Sequence, residues 1–250
     1  MFFRRCILLA GLCLTLPLGV FSQTFQSVSQ LTGLSEEVAT DVVVDAQGNR
    51  YACGFFGNTM NTAASVLTSQ GSRDGYLVKY DAMGAAVWIQ QLGSVLNDEA
   101  QVLGMDNQAN LYLLLNHNDT LTVQGQEIFS TSYWSILKFD ADGNLLLHVN
   151  PFVQLPTFFT LADMAVNETG EIVLTGEFGL SNTFNPAQLE FASETLFTVP
   201  RSNGTFAGQM WVARYDNQGQ FLWARASVST GIQGAFGRKV AINQASPRTT

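Results

Sequence analysis

Positive charge is scarce in this chain of 250 residues. Its 12 Lys and Arg stand against 20 Asp and Glu, for a formal charge of −8. That balance argues against nucleic acid and against anionic membrane surfaces as partners. Cysteine is scarcer still, at Cys6, Cys13 and Cys53 only. The two histidines, His117 and His148, have no metal-ligand spacing around them and read as surface or packing residues. Helical apolar periodicity is missing after residue 22, which excludes a helical bundle and an alternating α/β fold. There is no nucleophile-elbow motif, no phosphate-cradling glycine loop before a helix and no cofactor fingerprint. The expectation is therefore a non-enzymatic protein without a cofactor.

Residues 1–22 read as a secretory signal peptide. Arg4 and Arg5 form its positive start, residues 6–20 its apolar centre with Pro17 near the end, and Val20 and Ser22 are small enough to flank a cleavage site. The apolar run is too short for a membrane anchor. Leu12 before Cys13 speaks against a lipoprotein signal. The mature chain would begin at Gln23 without a transmembrane span. Losing Arg4 and Arg5 takes the formal charge from −8 to −10. Cys53 alone would remain, so no intrachain disulfide can form and stability must come from core burial. The expected location is outside the cytoplasm: periplasm, cell surface or medium.

What is present is a repeat. One turn recurs as Asp45–Asn49, Asp106–Asn110, Asn167–Glu171 and, degraded, Asn243–Ser246. A second recurs as Asp81–Gly84, Asp140–Gly143 and Asp216–Gly219. The period is about 60 residues, lengthening in the last unit, and a period of this order marks stacked repeats. The connection between a second-type turn and the next first-type turn is nearly constant. The reverse connection, between the second and third strands of a unit, varies. Each third strand ends in a cation, an aromatic and a turn-opening Asp: Lys79-Tyr80-Asp81, Lys138-Phe139-Asp140, Arg214-Tyr215-Asp216. Seven residues on stand Trp88, Leu147 and Trp223. Runs that are apolar on both faces, such as residues 111–115, suit a sheet between two neighbours.

The pattern predicts an all-β chain of propeller-type blades, each of four antiparallel strands. Three complete blades fall at about 38–94, 98–151 and 161–228, with a lone fourth strand at 24–31. A further blade begins at 234–250, where residues 239–243 take the place of a first strand. A closed ring needs at least four blades. The expectation is thus an incomplete ring, a truncated product or gene fragment.

The segments DVVVDAQGNRYACG (Asp41–Gly54), DGYLVKYDAMGAAVWIQQLGS (Asp74–Ser94), DEAQVLGMDNQANLYLL (Asp98–Leu114), LADMAVNETGEIVLTG (Leu161–Gly176) and MWVARYDNQGQFLWAR (Met210–Arg225) together resemble the bacterial SBBP (seven-bladed β-propeller) repeat family. The resemblance spans nearly all of residues 29–245. Leu115 stands where the family has Gly and Leu147 where it has Trp, so unit two is the most divergent. It implies a propeller in exported or surface-attached bacterial proteins. It brings no catalytic site.

The functional expectation is an interaction or adhesion scaffold for a protein or glycan partner. Its contact surface is expected on the variable connections 58–73, 116–131 and 180–208, since binding residues tend to ride on loops over a rigid frame. Candidate contacts are Trp134 and Trp211, which would stack on sugar rings if exposed. Lys79, Lys138 and Arg214 are the others: they would line a central channel for an anionic ligand, or pair with nearby carboxylates. Asp140–Asn144 lacks the later ligands of a calcium loop and reads as a turn. Cys53 reads as a buried inert thiol, and Trp88 and Trp223 as inter-blade packing. The alternatives are a carbohydrate-active propeller, with Asp119, Glu127, Glu190 and Glu194 gathered at one mouth, and a nonfunctional fragment.

Overall fold

A computed structural model describes residues 32–33, 35–62, 65–180, 184–228 and 235–243. The expected signal peptide at 1–22 and lone strand at 24–31 lie outside the described residues.

The described chain is all-β. Unit one contains β1 (Thr32–Gly33), β2 (Glu37–Val44), β3 (Arg50–Phe56), β4 (Thr59–Asn61), β5 (Val66–Thr68), β6 (Asp74–Tyr80) and β7 (Ala86–Leu92). Unit two contains β8 (Asp98–Met105), β9 (Leu111–His117), β10 (Leu121–Val123), β11 (Gln126–Ile128), β12 (Trp134–Phe139) and β13 (Leu145–Val149). Unit three contains β14 (Phe159–Val166), β15 (Ile172–Phe178), β16 (Gln188–Glu190), β17 (Thr195–Phe197), β18 (Gln209–Tyr215) and β19 (Phe221–Ala226). The long strands of each unit pair in chain order as a four-stranded antiparallel sheet: β2-β3-β6-β7, β8-β9-β12-β13 and β14-β15-β18-β19. No closed barrel forms among them. The sheets are propeller-like blades.

Six turns hold the registers, and all are built alike. In the first series the side-chain oxygen of Asp45 accepts the backbone N–H groups of Gln47 and Asn49, both at 2.9 Å. Asp106 does the same for Gln108 and Asn110, and Asn167 for Thr169 and Glu171. In the second series Asp81, Asp140 and Asp216 repeat the geometry. The chain then needs one residue with positive φ. Gly48, Gly84, Gly143, Gly170 and Gly219 supply it, but unit two places Ala109 there with φ 60°. Each blade carries a β-bulge at the same point of its first strand: Ala39/Asp41, Ala100/Val102 and Leu161/Asp163.

Registers fixed this way sort side chains by parity onto two faces. Leu77 and Leu92 of blade one meet Leu113, Leu115, Leu137 and Phe139 of blade two in one core. Tyr112, Leu114 and Ile136, on the opposite face of blade two, join the core of blade three. Trp88 donates from Nε1 to the carbonyl of Ala141 in blade two (3.3 Å), so it is an inter-blade contact. Leading faces differ in cover. Val42 is 58% exposed, whereas its equivalents Leu103 and Met164, each covered by the preceding blade, are 4% and 5% exposed.

Residues 235–243 form no strand, yet they occupy a first strand's place. The Val240 N–H donates to Asp163 Oδ2 at 2.9 Å. Leu103 donates in the same way to the equivalent Asp41 Oδ2, also at 2.9 Å.

The variable connections do not stand free as the sequence suggested. Each folds a short hairpin, β4–β5, β10–β11 and β16–β17. Seven of their apolar side chains (Met60; Leu121, Val123 and Ile128; Leu189, Phe191 and Leu196) are buried in the core clusters, while Val66, Phe129 and Phe197 stay exposed. In units two and three the hairpin packs on the face turned to the preceding blade, and β4–β5 packs on the corresponding face of blade one.

The positive φ at Ala109 gives a direct check. Ala109→Gly removes a left-handed alanine at the cost of extra chain entropy, and should raise stability by about 0.5–1 kcal/mol, a melting rise of roughly 1–4 °C. Gly48→Ala is the control, because its new Cβ would meet only Ala82 at an ordinary 3.4 Å. Thermal unfolding should show the opposite sign for it.

Candidate functional site

Blade two carries a polar row in an otherwise apolar face. Asp98 pairs across the sheet with His117, and Leu137 with His148, while Ser135 pairs with Leu115. Counting by two along each strand puts Asp98, His117, Ser135 and His148 on the face turned to blade one. Ser135 Oγ lies 2.8 Å from His117 Nε2 and 2.9 Å from His148 Nε2. Asp98, His117 and Ser135 are buried and His148 is half-buried.

The row has a direction. His117 Nδ1 lies 2.8 Å from the carbonyl of Asp119, which only accepts, so Nδ1 carries a proton. In neutral His117 the Nε2 then accepts from the Ser135 hydroxyl, and Ser135 accepts from His148 Nε2–H. Burial, and then the nearby His117, hold His148 below the usual histidine range; a hydrogen bond with Asn150 opposes them. Burial raises the Asp98 carboxyl; hydrogen bonds from the Ser94 N–H (2.6 Å) and hydroxyl (2.8 Å) pull it down, and the charge of Asp74 adds to the rise. The second oxygen of Asp98 is buried without a partner. Asp74, across the seam in blade one, accepts from the N–H groups of Gln70 and Gly71 and from Gln91 Nε2. The row is enclosed, so Ser135 is a link in a buried network and not an accessible nucleophile.

Above this row the surface opens into a cleft at the seam of blades one and two. It measures about 530 Å³ and is lined by Ser72, Val95, Leu96, Asn97, Asn118 and Tyr133. A second cleft of about 450 Å³ sits at the next seam, where Gln154, Leu155, Pro156 and Phe158 face Asn185 and Gln188. Both are built from the connector entering a blade and the chain leaving that blade's second strand.

The candidates read from sequence are placed differently. Trp211 is fully buried among Phe152, Phe159 and Phe191, with Phe159 stacked on it at 5.5 Å, so its face is closed to a sugar. Hairpin β16–β17, which carries Phe191, closes it in. Trp134 is half-buried against the same cluster. The three cations are occupied. Lys79 Nζ donates to the Ala141 carbonyl at 2.8 Å and lies over the Tyr51 ring. Lys138 lies over Tyr112 and 3.9 Å from Asp106 Oδ2, and Arg214 binds Glu171 at 2.8 Å. Of the acids, Asp119 and Glu127 are exposed near hairpin β10–β11, while Glu190 and Glu194 belong to the hairpin of blade three, where Glu194 binds Arg225 at 2.8 Å. Asp140 is a turn residue whose carboxyl is lowered: partial burial opposes this, but the Asn144 side chain and the backbone N–H groups of the turn outweigh it. Burial pushes the Cys53 thiol up to about 12, which makes it inert. The sequence shows the histidines as separate surface or packing residues; the sheet register joins them through Ser135. Among the described residues no group of three or more His, Cys, Asp or Glu is arranged to hold a metal, and no helix is long and apolar enough to cross a membrane.

No protein-family model matches the chain, and no curated protein matches it.

His148 titrates lower folded than unfolded, so the folded state binds fewer protons. Its contribution is present above the ordinary histidine value of about 6.5 and is lost as pH falls below it. Replacing it by His148→Gln, which keeps a donor for Ser135, should flatten the fall in melting temperature between about pH 7 and pH 5. An unchanged pH profile would show that His148 is not the titrating group.

Proposed function

We propose that the chain is an exported, non-enzymatic β-propeller protein of the SBBP-repeat type, and that it serves as an interaction or adhesion scaffold at the bacterial surface or outside the cell. The observation that carries this reading is that two successive blades each have a cleft between the connector that enters the blade and the chain that leaves its second strand. Rigid blades space these clefts regularly, an arrangement suited to repeated weak contacts with an extended partner. Much of the apolar surface of the variable hairpins is buried in the core, although Val66, Phe129 and Phe197 stay exposed, so the seam loops are put forward as the main contact surface. The signal-like residues 1–22 support export, and the turn and strand motifs support the family. A glycan partner has its own support: among the described residues no lysine, arginine, aspartate or glutamate lines either cleft.

Two measurements test the proposal. Expressed in a bacterial host, the chain should be recovered outside the cytoplasm with Gln23 at its N-terminus; retention inside with Met1 intact would contradict export. Purified mature protein should bind intact cells or their shed surface material. The variant Leu96→Ser with Phe158→Ser should keep its melting transition and bind about tenfold or more weakly, a loss of at least about 1.4 kcal/mol. Equal binding by both proteins would contradict the seam as the contact surface.

A further inference from the structure

Tyr133 is the exceptional residue of the seam. Its φ is 61°, a left-handed conformation that a bulky side chain avoids. Two hydrogen bonds hold it there: its carbonyl accepts the His117 N–H at 2.9 Å and Asn116 Nδ2 at 3.0 Å. The turn before it is locked as well. Ser130 Oγ donates to the Trp134 carbonyl at 2.7 Å and accepts the Ser132 N–H, and the Ser132 side chain is buried. With the carbonyl turned inward, the phenol ring is held outward and is 56% exposed, beside the 530 Å³ cleft. Strain of this kind concentrates where a side chain must be presented in a set direction.

The rest of the cleft defines what the ring would meet. Asn97 and Asn118 bring amides and Ser72 a hydroxyl. Asn118 Nδ2 donates to the Asn97 carbonyl at 3.0 Å, which leaves its Oδ1 as an acceptor. Val95 and Leu96 add exposed apolar surface. Among the described residues no lysine, arginine, aspartate or glutamate lines the cleft. The neighbouring Arg73 is committed to Glu36 and Glu99, each at 2.7 Å, so no free cation stands ready for a phosphate or carboxylate. An aromatic face for C–H groups, neutral donors and acceptors for hydroxyls, and no charge to pair match one ligand chemistry.

We propose that the seam cleft at Tyr133 binds an uncharged saccharide, with one sugar ring stacked on the tyrosine and its hydroxyls on Asn97, Asn118 and Ser72. The inference rests on the scaffold reading in one respect, that the seam is a contact surface. It replaces the buried Trp211 with Tyr133 as the stacking residue. The hydrogen bonds that hold Tyr133 preorganise the platform, so ligand binding need not order the loop.

The test uses the mature protein and a panel of neutral oligosaccharides (β-1,4- and β-1,3-glucan, xylan, mannan and chitin oligomers) in calorimetric titration, with thermal unfolding of each variant. At least one oligosaccharide should bind. Tyr133→Phe should keep its affinity within about threefold. Tyr133→Gly should lose about tenfold or more while its melting temperature rises, because glycine removes the ring and relieves the strain together. A merely structural tyrosine would not move binding and stability in opposite directions. Absence of binding to every neutral sugar, or full affinity in Tyr133→Gly, would overturn the proposal. If cell-surface binding persists in either case, or only a protein or peptide is captured, the scaffold reading stands and the saccharide site does not.

Discussion

One hydrogen-bonding arrangement, a side-chain oxygen accepting the backbone N–H groups two and four residues ahead, sets the register of every blade. It recurs at Asp45, Asp81, Asp106, Asp140, Asn167 and Asp216. Strand side chains alternate, so a slip of one residue at any of these turns would exchange the two faces of a strand. Leu113 and Leu137 would leave the core they share with blade one, and the row from Asp98 to His148 would turn toward blade three. The Asp or Asn oxygen at each turn thus acts far beyond its own four or five residues.

Stacking follows from register. Each blade offers one apolar face forward and one backward, and hairpins β4–β5, β10–β11 and β16–β17 fill the gaps left at the wider side. The contrast between exposed Val42 and buried Leu103 measures what a preceding blade contributes, about 1.5–3 kcal/mol for each large side chain fully covered. Asp41 and Asp163 add a polar tie, each taking one backbone N–H from the chain segment that packs on it. Within this frame the buried row of blade two supports the loop that carries Tyr133, since the His117 backbone N–H and the Asn116 side chain both end on its carbonyl.

Much of this was legible in the sequence, because turn chemistry and strand parity are local. The Asp–Gly turns, the twelve long strands and their order could be read directly, and Asp140–Asn144 is the turn its residues suggested. Four features went unread, and one of them had left a signal. Leu121, Val123 and Ile128 sit in a stretch that reads as a polar loop, and only the tertiary wedge makes them core. Trp211 looked accessible because it borders a long connection, yet that connection brings Phe191 onto it. The histidines lie in separate strands and meet only after three strand registers are combined. The signal for them was present: counted from the turns, His117, Ser135 and His148 share one face. Tyr133 gave no such signal, because nothing in its residue type announces a positive φ.

Turn hydrogen bonds repeat through three blades and lock their registers. Site-resolved amide hydrogen exchange on the mature protein tests it most directly. The N–H groups of Asn49, Ala85, Asn110, Asn144, Glu171 and Gln220 lie in surface turns, where free amides exchange fast. All six should be slowed as a set, together with Leu103 and Val240, whose N–H groups end on Asp41 and Asp163. Fast exchange at these turn amides, or protection without the repeat from blade to blade, would contradict the account.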